Sequence, residues 1–421
     1  MQYKDLPKNN KVCVMPWRGA YITTGSEVLP CCLTSSNHWK LEDFDIRDSL
    51  RKHNIDSIRN SDAWNSLRKD LINGIENPTC EFCWQKERKG FQSNRIFSNQ
   101  HFPNLIDDID FNQDGSLDNN NISYWDVRST NLCNMKCVMC GPGLSSLWNE
   151  EALKNYKGTD HNEYYFKPIG DKAVFYANNN VGETIESIVE RNIDYVDTFY
   201  FAGGEPLINN THWKILELLI ERKMFHVKLI YNTNLLKLDY GKWNALSVWE
   251  NFESVEVCAS IDAIGSRAEY SRTGTVWSTV DKNFRTIQKE RPHQTGLNPT
   301  TSVLTIGGMQ EFLNWADECQ VDKNRIQLSN VLLSPEYLSI DILPQKIKEI
   351  YWKNIEDSAS LCGKNGFNIL KERMLNNKFD IEKQKEKQLQ FKHTMKILDD
   401  VRNNSILHGC PDLIDFLNSI T

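Results

Sequence analysis

The stretch RSTNLCNMKCVMCGPG, residues 128–143, sets Cys133, Cys137 and Cys140 in one short loop with the spacing C-x3-C-x2-C. Three thiols suit neither a disulfide framework, which wants an even number, nor a closed structural zinc site, which wants four donors. Three thiolates in one loop can wrap a compact iron–sulfur cube, one thiolate to each iron, and leave a coordination position open. The plainer readings of the same residues are part of a zinc knuckle or a buried group of small hydrophobes. The flanking sequence decides between them.

Working outward, ISYWDVRST (122–130) has the pattern of a β-strand and runs directly into Cys133. DTFYFAGG (197–204), HVKLIYNTN (226–234) and ESVEVCASID (253–262) predict further strands, each followed by a helical pattern. TTSVLTI (300–306) and RIQLSNVLL (325–333) predict a fifth and a sixth. Six β–α repeats imply an α/β fold with a parallel sheet and right-handed crossovers, curled as a partial barrel or open as a doubly wound sheet. In barrels of this kind chemistry gathers at the C-terminal ends of the strands, which is where the cysteine loop falls.

The 421 residues have room for two or three domains. We expect a cysteine-rich segment at 1–100, an Asp/Asn-rich linker at 101–121, the β–α repeats at 122–335 and a charged helical extension at 336–421. A net charge of −7 argues against a generic nucleic-acid or acidic-membrane surface. The start, MQYKDLPKNN, has no apolar core of a signal peptide, and no apolar run approaches the length of a membrane span. The expectation is therefore a cytoplasmic protein. There, twelve cysteines point to metal or redox chemistry before disulfides.

C-x3-C-x2-C at the end of a first strand resembles the cluster motif of the radical S-adenosylmethionine (SAM) superfamily, and the later strand ends resemble it in order. FAGGEP (201–206) is similar to the family's Gly-Gly-Glu motif, which implies that Gly203, Gly204 and Glu205 hold the methionine amino group. NTN matches a polar turn at Asn232, Thr233 and Asn234; SID matches the ribose- and carboxylate-binding segment at Ser260 and Asp262; Arg272 matches a basic position that meets the SAM carboxylate. Met139 stands where the family often has an aromatic residue against adenine, and backbone near Leu328 to Val331 would be the adenine shelf. The resemblance implies a partial (β/α)6 TIM-like barrel. It also implies a 4Fe–4S cluster on Cys133, Cys137 and Cys140, S-adenosylmethionine on the open iron, and a 5′-deoxyadenosyl radical that abstracts hydrogen from a substrate.

Near the N-terminus, Cys13, the pair Cys31–Cys32 and CEFC (80–83) offer five sulfurs from separated segments, four of which would suit zinc or a fully ligated cluster. CVMPWRGAYITTGSEVLPCC and the later Trp64/Leu67/Arg68, Gly74, Glu87, Gly90, Ser93 and Arg95 resemble the twitch module, the shortened SPASM domain of many radical SAM enzymes. That implies an auxiliary 4Fe–4S cluster on Cys13, Cys31, Cys80 and Cys83, with Cys32 as rival to Cys31. The module here precedes the barrel, whereas it generally follows it. The group is rich in peptide-modifying enzymes, so a peptide is the first substrate expected, with dehydrogenation of a small alcohol or sugar second. The reductant would be a flavodoxin or ferredoxin. A zinc protein that binds nucleic acid without catalysis is the alternative of another class, and a two-cluster electron carrier a third.

Other signals are weaker. DFNQDGSLDNNN (110–121) imitates a calcium loop but ends on Asn121 where the bidentate Glu belongs, so a solvated turn is expected. Cys258, Cys319, Cys362 and Cys410 read as structural, and His161 and His408 lack a partner pattern. The aromatic insertion at 156–180, with Tyr164, Tyr165, Phe166 and Tyr176, fits a cover over the barrel mouth and outside packing equally well.

Overall fold

The computed structural model describes residues 1–34, 49–156, 166–177, 183–377 and 379–420. Nine strands are described: β1 (Gly19–Ile22), β2 (Val28–Leu29), β3 (Tyr124–Val127), β4 (Thr198–Phe201), β5 (Lys228–Thr233), β6 (Asp239–Tyr240), β7 (Trp243–Asn244), β8 (Val255–Ala259) and β9 (Thr295–Leu297). Seven form a mostly parallel sheet in the order β2-β1-β3-β4-β5-β8-β9, while β6 and β7 make a separate hairpin. The helices used below are α1 (Asp62–Ile72), α2 (Glu81–Arg88), α3 (Asn94–His101), α4 (Ser146–Asn155), α5 (Asn210–Glu221), α6 (Gly265–Ser271), α7 (Lys364–Leu375) and α8 (Ile381–Arg402).

The chain divides into two compact units. Unit 1 comprises Met1–Asn131, Val174–Ile230 and Trp249–Ser254; unit 2 comprises Leu132–Ala173, Tyr231–Val248 and Val255–Thr421. In unit 1, β1 pairs antiparallel with β2 and parallel with β3, in the register Ala20↔Trp125, and β3 pairs parallel with β4, Trp125↔Phe199. Trp125, Phe199 and Phe201 are buried, and the first two rings stack at 6.4 Å. The Asp/Asn-rich stretch is ordered here as an Asx-type turn: Ser116 donates to Asp114, and Asn112 donates to Asp118, as expected of a turn. Its Gly115 carbonyl accepts from buried Arg68, and Ile109 and Phe111 are core residues.

β5 belongs partly to each unit. Its alternating burial turns Leu229, Tyr231 and Thr233 inward, as the period of two requires. In unit 2, Ser260 N donates to Thr233 O, and β8 pairs parallel with β9, Val257↔Thr295. The fifth strand thus lies at 295–297, not at the expected 300–306. There, Thr305 Oγ1 accepts from Ser302 N and donates to Thr300 O, and Ile306–Gly308 turn into a 3-10 helix. These side-chain bonds compete with a ladder, although Val303, Leu304 and Ile306 are as buried as a strand would make them. The expected sixth strand is reduced to two isolated parallel bridges, Leu297↔Ile326 and Thr301↔Val331. The C-terminal part is helical, and α8 is capped by Asp380, which accepts from Lys383 N, and closed by Asn403 at φ 48.

Candidate active site

In unit 2 the cysteine loop is pinned along its whole length. Lys136 N donates to Thr273 O and Val138 N to Ser271 O, both at 2.8 Å, so the loop runs against residues 271–273. Ser145 Oγ donates to Met135 O while capping α4 at Trp148 N, and Trp148 Nε1 donates to Cys137 O at 2.9 Å. Ser146 Oγ accepts from Cys133 N at 3.2 Å. Gly274, at φ +107, lies so close that a Cβ would meet Asn134 O at 3.0 Å. Cys137 is buried, and Cys133, Met139 and Cys140 are half-buried.

Arg272 stands beside these thiols. Its Nε and Nη2 bind Asp262 Oδ2 and Oδ1 at 2.7 and 2.9 Å, and its Nη1 lies 3.9 Å from Cys137 Sγ. Asp262 is buried and also accepts from Thr300 N at 2.7 Å, so the bidentate pair is fixed to the backbone. Burial pushes the Cys137 thiol up, and Arg272 opposes that. Burial, with Cys137 alongside, pushes Cys140 up to about 12. Asn234 Nδ2 donates to Asn134 Oδ1 at 2.8 Å, and Thr233 Oγ1 accepts from Leu235 N. Asn234, Ser260, Asp262 and Arg272, singled out separately in sequence, line one small cavity of about 10 Å³ with Met135 and Thr275. Asn232 is half-buried on β5. Leu328 is buried and its backbone is covered by α7: a Cβ on Gly366 would lie 2.8 Å from Leu328 N.

In unit 1, Gly203 and Gly204 follow β4 with φ of 70° and 58°. A Cβ on Gly203 would sit 2.6 Å from Arg128 Cβ, so only glycine permits this approach. Glu205 is buried, and its Oε1 accepts from Leu207 N, capping the turn that follows.

The N-terminal sulfurs come together in the same unit. Burial raises Cys31 well above an ordinary thiol, and Cys32, Cys80, Cys13 and Cys83 each add to the rise, so these sulfurs lie within electrostatic reach of Cys31. Cys32 is exposed, and it shares this electrostatic neighbourhood with Cys31 and Cys83. Asn99 holds the peptides on either side of Cys13: Val14 N donates to its Oδ1 and its Nδ2 donates to Val12 O. Arg95 binds Glu87 through Nε and Nη2 at 2.9 and 2.7 Å and reaches Val12 O, tying α3 to the helix that carries Cys83. Cys80 caps α2 and Cys83 lies in its first turn.

Among the described residues no group of three or more His, Cys, Asp or Glu side chains converges on a single metal ion. A cube that takes one thiolate per iron does not ask its sulfurs to converge on one point. The donor chemistry fits that group: three thiols on one anchored loop, with a fixed guanidinium beside them.

No protein-family model and no curated protein matches this chain. Among solved structures it is similar to anSMEcpe with bound AdoMet, at 18% identity over 58% of this chain and 62% of that one, with a TM-score of 0.37. It is also similar to Streptococcus suis SuiB bound to S-adenosylmethionine, at 13% identity over 56% and 47%, TM-score 0.36. A third, SuiB bound to precursor peptide SuiA, matches at 14% identity over 67% and 59%, TM-score 0.34. The chain spans less than two thirds of the length of each. Among the described residues no helix is long and apolar enough to cross a membrane.

Sequence reasoning missed several residues that hold the site. Ser145 has a readable signal, a serine just before a helical pattern. Glu151, Thr273 and Arg402 have none, because their partners lie far away in the chain. Of the aromatic insertion, Phe166 packs on Tyr156 at 4.8 Å and Trp148 at 5.6 Å, and Tyr176 is exposed. Tyr164, Tyr165 and His161 lie outside the described residues.

Proposed function

We propose that this chain is a radical SAM enzyme. The observation that carries the reading is the anchored loop of Cys133, Cys137 and Cys140 after β3, with the Asp262-bound guanidinium of Arg272 beside Cys137. The three cysteines would each hold one iron of a 4Fe–4S cluster, with the fourth iron left to the amino and carboxylate groups of SAM. Bound there, the pair would supply reductive cleavage of the sulfonium and, through it, hydrogen-atom abstraction from the substrate.

The chain's own residues bind and orient. Arg272, held on two of its nitrogens by Asp262, presents its remaining N–H groups in a fixed direction suited to a carboxylate. On the resemblance, Glu205 and the backbone of Gly203 and Gly204 receive the amino group. Asn232, Asn234 and Ser260 offer hydrogen bonds to a ribose, and the Met139 thioether offers a contact to adenine. Cys13, Cys31, Cys80 and Cys83 would hold a second, fully ligated cluster. Four protein donors leave no open iron, so its role is electron relay. We assign a peptide as substrate, a flavodoxin or ferredoxin as reductant and the cytoplasm, where thiols stay reduced, as compartment.

The test is anaerobic reconstitution with iron and sulfide, followed by an iron and sulfide count and a SAM-cleavage assay with dithionite. Two clusters and release of 5′-deoxyadenosine are expected. Stoichiometric zinc without sulfide would replace this reading with a structural zinc protein. Intact reduced clusters that leave SAM uncleaved would replace it with an electron carrier.

A further inference from the structure

Helix α8 ends in a buried ionic junction that the proposed chemistry does not use. The side chain of Arg402, the last residue of α8, is 2% exposed, and that of Glu151 in α4 is 4% exposed. Arg402 Nε and Nη2 bind Glu151 at 3.0 and 2.9 Å. The same carboxylate takes the ammonium of Lys136, which lies between Cys133 and Cys137 in the loop. Arg402 Nη1 donates to Thr273 Oγ1 at 3.3 Å, on the segment whose carbonyls receive the loop's Lys136 and Val138 amides. The guanidinium also lies 4.9 Å over the ring of Trp148, the residue that donates to Cys137 O. One turn back along α8, Asp399 accepts from Tyr270 Oη and from Ile406 N, both at 2.8 Å. Tyr270 is in α6, next to Ser271 and Arg272.

The end of one helix therefore grips both sides of the paired backbone, the cysteine loop through Glu151 and Lys136, and residues 270–273 through Tyr270 and Thr273. We infer that helix α8 is a brace for the cysteine loop, with Arg402 as a positioning residue that fixes it through Glu151 and Thr273. In what the brace does for a cofactor, the inference rests on the function proposed above. The contacts themselves belong to the protein whether or not a cluster is present. A buried carboxylate shared by two cations resists loosening, because removing either partner leaves desolvated charge poorly compensated. A lysine at 402 would keep the charge but lose the two-pronged grip that also reaches Thr273.

The experiment compares wild type with Arg402→Gln, Arg402→Lys and Thr273→Val in the full chain. Amide hydrogen exchange is read at Lys136 and Val138, before and after anaerobic reconstitution. The electron paramagnetic resonance of the reduced protein is read with and without SAM. For Arg402→Gln, exchange at those two amides should rise about tenfold, while β8 and β5 amides keep wild-type rates. Its resonance should broaden and lose its response to SAM, and Arg402→Lys should restore part of both. Wild-type loop exchange and an unaltered resonance in folded Arg402→Gln would overturn the brace. Should Arg402→Gln fail to fold, Thr273→Val decides: it removes one arm of the grip, and unchanged exchange at Lys136 and Val138 would overturn the inference equally. A wild type that takes up no iron defeats the proposed function instead, and the exchange measurements still judge the brace.

Discussion

The two cysteine groups are built on opposite plans. In unit 2 all three sulfurs come from one loop, and the protein holds that loop with side chains and backbone from elsewhere: Ser145, Trp148, residues 271–273 and Arg402. Cations stand by to offset the thiols, with Arg272 and Arg402 both opposing the rise that burial imposes on Cys137. In unit 1 the four sulfurs come from three separate segments; Arg95 opposes the rise at Cys13, Cys80 and Cys83, while burial and neighbouring thiols act together on Cys31. The loop of three is held by protein contacts along residues 133–138. If the group of four holds the cluster proposed above, that metal would cross-link three segments of the chain.

The largest effect that sharpens this contrast is on chemistry. Cys133→Ala should lower SAM cleavage by roughly three orders of magnitude, to background, while the iron assigned to the N-terminal four remains. Cys80→Ala/Cys83→Ala should do the reverse, removing that iron and leaving SAM cleavage under dithionite. Equal loss of all iron in both variants would break the distinction.

Next comes metal removal. A strong iron chelator applied to reduced protein should open α2 and the Cys31 turn to protease within minutes, while the 133–140 amides stay protected from exchange. Smaller again is Arg95→Met, which leaves Val12 O to Asn99 and Glu87 to Ser93 and should cost about 2 kcal/mol of unit 1 stability, read by urea unfolding. Gly203→Ala should cost about 2 kcal/mol as well, since it places a Cβ at positive φ against Arg128.

The smallest effect is a pH handle in unit 1. His212 on α5 is buried, edge-on to Phe201 at 4.7 Å, and burial pushes its imidazole down to about 3. Above an unfolded value of about 6.5 both states are neutral and nothing is lost. Below it the unfolded chain takes a proton that the folded one refuses. Stability then falls as pH drops, by up to about 1.4 kcal/mol per unit. His212→Leu should flatten that slope in urea unfolding between about pH 7 and pH 5.

Much of this architecture was legible because the strands carry their own periodicity. Leu229, Tyr231 and Thr233 alternate inward on β5, and Val255, Val257 and Ala259 on β8, so the turns that follow them could be placed. TTSVLTI misled because its apolar residues are buried without a ladder, the local hydroxyls having taken the backbone bonds. The parallel seat of β1 beside β3 was not legible, since four residues, GAYI, do not announce a distant partner. Asp262 and Arg272 could be named as separate signals, but not their bidentate pairing. Arg402 left no trace in local pattern, its partner Glu151 standing 251 positions away.

Because β1 lies parallel to β3, the connection between them must be a crossover, and that crossover is the entire segment containing Cys31, Cys80 and Cys83. As the chain leaves the ribosome, β1 emerges long before the neighbour it will zip against. Cross-linking the intervening stretch through a metal would shorten the effective loop and lower the entropy lost when the two strands meet. If they hold the cluster proposed above, the sulfurs near the amino terminus would act as a folding clamp, and chains made under iron starvation should accumulate with this edge of the sheet unzipped.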